Sequence, residues 1–235
     1  MTTSPSTERL DSELERLYGP ASGDAGQPVR ARVLEVAGPG SWRELSRVWQ
    51  GVQADLALPA PAIAVNGSDG FQLWFSFAQA VQPDAADDFV QALVARYLAG
   101  VPPERLRRHS GLPPAPPRAL GPERWSAFIA ADLAPLFEDT PWLDEPVGAS
   151  PQADLLARLQ PIAPDAFTRA CAPPPAPPPA AAPEAAPADH ARPANTQEGE
   201  LQDPRSFLLA VMRDASADLA LRIEAAKALL AAEKR

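Results

Sequence analysis

Apolar residues change their spacing several times along this chain, and each change marks an element. Leu10, Leu14, Leu17 and Tyr18 fall at helical intervals, predicting a loose N-terminal helix within residues 1–27 that gives way to a Gly/Ser/Asp/Pro loop. From Val29 to Val36 the pattern is β-branched and alternating, the signature of a strand. Gly38-Pro39-Gly40 breaks it, and Ser41-Trp42-Arg43-Glu44 has the S-x-x-E form of a helix-capping box. The helix that follows is expected to reach about Leu56, with Trp42, Leu45, Val48, Trp49, Val52 and Leu56 on one stripe that requires a flat partner.

That partner is predicted next. The β-prone runs 62–65 and 71–77 flank Asn66-Gly67-Ser68-Asp69-Gly70, whose Gly and Asx residues suit a tight turn, so a hairpin is expected. Phe71, Leu73, Phe75 and Phe77 share one face of the second strand, and Gln72, Trp74 and Ser76 share the other. On the first strand Leu34 and Val36 go with the aromatic core face. Ala31, Val33 and Glu35 go with Gln72 and Trp74. Pro83 and Asp84 open another helix with a buried stripe of Phe89, Val90, Leu93, Val94, Tyr97 and Leu98. The order β-α-β-β-α predicts an α+β domain over residues 28–110.

Beyond it, the proline run 113–117 reads as a stiff connector, and Trp125, Phe128, Ile129, Leu133, Leu136 and Phe137 read as one helical stripe. A further helix is expected from Gln152 to Leu159, so residues 118–170 are predicted as a helical extension packed on the first unit. Residues 171–202 are Pro/Ala-rich with almost no large apolar side chains, which predicts a disordered linker extending roughly 3.1 Å per residue where it is polyproline-like. Residues 203–235 regain helical spacing. Phe207 and Val211 mark one helix and Ile223 and Leu230 a second, a C-terminal α-hairpin whose apolar stripe is a candidate partner-binding surface.

Composition narrows the function classes. Net charge is −9, and residues 1–171 hold 14 basic against 21 acidic side chains, which argues against tight non-specific binding of phosphate backbones over the whole surface. Cys171 is the sole cysteine and His109 and His190 are the only histidines, so neither an intramolecular disulfide nor a zinc constellation is expected. The N-terminus is polar and acidic, and no apolar run approaches membrane-spanning length. A cytoplasmic protein without membrane contact is expected. Arg105, Arg107 and Arg108, with His109, form a basic cluster that suits either phosphate tracking or a solvated helix end.

A strand ending at a Gly/Pro turn, a capped helix and a hairpin closed by a Gly-Ser-x-Gly turn occur here in the order found in primase–polymerase domains. Residues 29–100 resemble the archaeo-eukaryotic primase superfamily, most closely the polymerase domain of bacterial end-joining DNA ligases. The resemblance implies a two-metal nucleotidyl-transfer scaffold, but the family's Asp-x-Asp pair falls on Glu35 and Ala37. Its Ser-Gly-x-x-Gly-x-His turn falls on Asn66-Gly67-Ser68-Asp69-Gly70-Phe71-Gln72, and its third carboxylate has no match. Ala37 offers no side-chain oxygen, and Gln72 cannot carry an imidazolium's charge.

The resemblance therefore implies a degenerate relative with no catalytic residue and no cofactor, a divalent metal being expected only with residual activity. The leading expectation is a non-enzymatic module that holds nucleotide, DNA or RNA. Its candidate residues are Glu35, Ser68, Gln72, Trp74, Arg105, Arg107 and Arg108, with Trp74 a base-stacking platform and the turn amides an anion holder. A protein partner is recruited through residues 203–235. The alternative is a structural adaptor whose former active face is buried, with Trp74 covered by the helical extension. An active metal-dependent nucleotidyltransferase ranks third.

Overall fold

The computed structural model describes residues 4–20, 26–109 and 111–171. The chain forms helix α1 (Pro5–Tyr18), strand β1 (Val29–Ala37), helix α2 (Ser41–Ala54), strands β2 (Ala62–Val65) and β3 (Gly70–Val81), and helix α3 (Pro83–Tyr97). Strands β4 (Leu106–Arg107), β5 (Arg118–Gly121) and β6 (Arg124–Ile129) follow, then helices α4 (Ala149–Leu156) and α5 (Pro164–Cys171). This is an α+β domain built on one antiparallel sheet of six strands, in the order β4-β1-β3-β2-β6-β5. The first four strands with α2 and α3 make a split β-α-β unit, in which each helical connection steps over one intervening strand.

The alternation predicted for β3 decides the layers. Phe71, Leu73, Phe75 and Phe77 face α2, α3 and α5, where they meet Leu45, Val48, Val52, Phe89 and Leu93. Edge-on ring pairs tie this layer together, with Phe75 and Phe89 centroids 5.4 Å apart and Phe77 and Phe167 5.1 Å apart. The opposite face carries Ala31, Val33, Ala62, Ala64, Trp74 and Phe128, and it too is covered, by Leu10, Leu17 and Tyr18 of α1 and Ala153 and Leu156 of α4. Sheet and helices thus form three layers.

Four expectations are corrected. The N-terminal helix is not loose, because its apolar stripe closes the second face of the sheet. Residues 118–129 are strands rather than helix. In Arg124–Ile129 alternate residues face opposite layers, Ala127 and Ile129 one way and Phe128 the other. The capping box does not form, because Gly40 occupies the cap with φ +73° and Ser41 is already helical, its buried hydroxyl lacking a partner among the described residues. Last, α5 runs to Cys171, so the predicted linker's first residue is helical. Residues 172–235, including Phe207, Val211, Ile223 and Leu230, lie outside the described residues. Among the described residues no helix is long and apolar enough to cross a membrane.

The hairpin turn tolerates no side chain at its last position. A Cβ on Gly70 would collide with the carbonyl oxygen of Val36 and the Cα of Ala37, both backbone atoms of β1 that cannot move without breaking the ladder. Gly70→Ala is expected to cost about 1–3 kcal/mol, in the range of overpacking, read as a lower urea midpoint with an unchanged slope.

Candidate functional site

Strand register, not sequence proximity, assembles the site. Glu35 on β1 lies opposite Gln72 on β3 and, on its other side, opposite Arg107 on β4. The three side chains are cross-strand neighbours on one face. His109, two residues beyond Arg107, and Asn66 from the β2–β3 turn complete a ring around the Glu35 carboxylate.

Each carboxylate oxygen has two partners. Oε1 accepts from Asn66 Nδ2 at 2.9 Å and Arg107 Nη1 at 3.2 Å. Oε2 accepts from Gln72 Nε2 at 2.7 Å and lies 2.8 Å from His109 Nε2. Glu35 is only 2% exposed. Burial pushes its carboxyl upward, but the hydrogen bonds from His109, Asn66 and Gln72 outweigh it and hold the group below its ordinary value. The ionised form is the folded form. A second carboxylate, Asp69, bonds Arg107 Nη2 at 2.6 Å, so Arg107 spans two acids at the rim.

The network continues inward. Gln72 Oε1 accepts from the Trp74 indole at 2.9 Å, which fixes the amide so that its nitrogen faces Glu35. Trp74 is 1% exposed. Its ring lies 5.2 Å from Tyr18 and 5.5 Å, edge-on, from Phe128. Helix α4 is pinned over this layer by Gln152, whose amide exchanges two hydrogen bonds with the Phe128 backbone, at 2.8 and 2.9 Å. Trp74 is therefore a core residue and no stacking platform, because α1 supplies the covering layer.

The amides of the turn likewise have acceptors within the chain. Asn66 Oδ1 accepts the amides of Ser68, Asp69 and Gly70 at 2.8, 3.0 and 3.0 Å, and the Gly67 amide donates to the Pro141 carbonyl at 3.0 Å. Its backbone amides are already used, and of the predicted anion holders only the Ser68 hydroxyl makes no hydrogen bond among the described residues. Arg105 donates from Nε to the Ala37 carbonyl at 2.8 Å and from Nη2 to that of Pro39 at 2.6 Å, which fastens the turn after β1. The basic cluster is thus divided: Arg105 ends a short 3-10 helix, Pro103–Arg105, and its guanidinium is taken by backbone carbonyls. Arg107 sits in an edge strand, and Arg108 bonds the neutral Gln91 Oε1 at 3.4 Å.

The residues present do not fit the two-metal centre that the resemblance implies. Metal binding at Glu35 would displace donors from both oxygens, and Ala37 contributes only a carbonyl that Arg105 already occupies. Among the described residues no group of three or more His, Cys, Asp or Glu side chains is arranged to hold an ion.

Sequence reasoning brought Glu35, Gln72 and Trp74 to one face, and they meet there. It missed Asn66 and His109 as partners of Glu35. The Asx turn was the available signal for Asn66. None marked His109, which is 74 positions away and reaches Glu35 only through β4.

Tyr18 carries a lesser cost. Its hydroxyl is buried without a partner among the described residues, and burial pushes its pKa far upward. Tyr18→Phe removes an unmet donor while keeping the ring against Trp74, so stability is expected to hold or rise by about 1 kcal/mol in urea titration. Comparison of the chain with protein-family models, curated proteins and solved structures yields no match.

Proposed function

We propose that this chain is a non-enzymatic structural adaptor of primase–polymerase ancestry, acting in the cytoplasm through protein contacts. The observation that carries this reading is the state of the face where a relative would hold nucleotide. Its acid, Glu35, is 2% exposed and has partners on both oxygens, and its aromatic, Trp74, lies under α1 and α4. A site for nucleotidyl transfer needs carboxylates open to metal and a surface open to substrate. Here those positions serve packing. The split β-α-β order agrees with the ancestry, as does the turn between β2 and β3.

Recruitment through residues 203–235 remains part of the proposal, with Phe207, Val211, Ile223 and Leu230 the contact candidates. Fluorescence anisotropy of labelled single-stranded and primed duplex DNA against the full chain, across a salt series, tests the choice between adaptor and nucleic-acid holder. The adaptor reading predicts no saturable binding at physiological salt. Saturable binding that weakens as salt rises would return the function to nucleic acid.

A further inference from the structure

A second polar feature borders the Glu35 network, sharing Arg107 and His109 with it, between α3 and the edge where β1 runs past the short β4. A cavity of about 390 Å³ opens there, within the range of small-molecule sites. Its apolar wall includes Val90, Val94 and Leu106. Its charged lining is unbalanced: Arg32 and Arg108 border it with Asp87 as the lone acid of the lining, while Arg107 and His109, also in the lining, are bonded to Glu35, on a chain whose net charge is −9.

Arg32 is the informative residue. Its side chain is 5% exposed, and a buried guanidinium ordinarily has its donors filled. Nε lies 2.7 Å from Asp87 Oδ1 without the alignment of a hydrogen bond, and Asp87 is itself 57% exposed. Nη2 donates to the Pro83 carbonyl at 3.2 Å. Nη1 makes no hydrogen bond among the described residues. Arg108, at the mouth, faces the neutral Gln91 and, among the described residues, no carboxylate. Arg107 is already held by Glu35 and Asp69. Arg32 is therefore ion-paired with the half-exposed Asp87 but keeps Nη1 without a hydrogen bond among the described residues, and Arg108 stands at the rim without a carboxylate partner among them, beside an apolar wall.

We propose that this cavity binds a small amphipathic organic anion, its carboxylate or phosphate held by Arg32 and Arg108 and its apolar part laid against Val90, Val94 and Leu106. An anion there supplies an acceptor to Arg32 Nη1 and a counter-charge to Arg108, through charge-assisted hydrogen bonds. The apolar wall selects against fully hydrated ions.

Calorimetric titration of the full chain with phenyl phosphate, phenylacetate, inorganic phosphate and benzyl alcohol tests this, the first two separating phosphate from carboxylate as the head group. At least one aromatic anion is expected to bind saturably and more tightly than inorganic phosphate or the neutral alcohol. Arg108→Gln, at an exposed position, is expected to keep the melting temperature and weaken that binding about tenfold, the loss of one charged contact. The proposal is overturned if neither aromatic anion saturates, if inorganic phosphate or the alcohol binds as well, or if Arg108→Gln leaves the affinity unchanged.

Discussion

Trp74→Ala is expected to lower stability by about 3–5 kcal/mol, the range for removing a large aromatic from a packed core. In a chain of this size that corresponds to a fall in melting temperature of roughly 6–20 °C. The physical reason lies in what surrounds the ring. Tyr18 and Phe128 contact it from α1 and β6, and Leu10, Leu17, Ala153 and Leu156 complete the layer. Rings and helices pinned to a sheet collapse poorly into the void, so most of the cavity cost persists. The substitution also strips Gln72 Oε1 of its donor and frees the amide that holds Glu35. A base-stacking Trp74 would give the opposite result, an intact melting curve with weakened nucleic-acid binding.

Glu35→Gln is the second large effect. It keeps size and shape but removes the charge around which Asn66, Gln72, Arg107 and His109 are arranged. It also turns one acceptor into a donor that meets other donors. Breaking a buried charged network in this way is expected to cost roughly 3 kcal/mol in denaturant titration. The pH dependence carries the same information. Because Glu35 is held below its ordinary value of 4.5, its contribution is fully present above that pH and is lost as pH falls through the lower folded value. The stability difference between wild type and Glu35→Gln is therefore expected to shrink as pH falls below about 4.5. A difference that did not shrink in acid would remove the ionised carboxylate from the account.

Much of this fold is legible in the chain because its central strands alternate cleanly. Phe71, Leu73, Phe75 and Phe77 against Gln72, Trp74 and Ser76 admit one strand orientation, and that placed Glu35 beside Gln72 correctly. The stripes of α2 and α3 were equally clear. The hairpin β5–β6 was not, because Trp125, Phe128 and Ile129 fit helical spacing as well as Arg124–Ile129 fits alternation, and six residues are too few to separate the periods. Which face of the sheet is open cannot be read from Leu10, Leu17 and Tyr18 alone. Their stripe predicts that α1 packs somewhere, whereas its place over Trp74 depends on contacts more than 50 positions apart. The network around Glu35 has the same character, since β4, two residues long, carries no periodic signal and yet delivers Arg107 and His109.

The face bearing Glu35, Gln72 and Trp74 is interior. Hydrogen exchange of the Trp74 indole Nε1–H, followed by NMR in the full chain, tests it directly. Protection close to that of the slowest core amides is expected, because the indole must leave Gln72 and the cover of α1 before it meets water. Exchange as fast as that of a solvent-exposed indole, with the fold intact, would contradict it and reopen this face as a ligand surface.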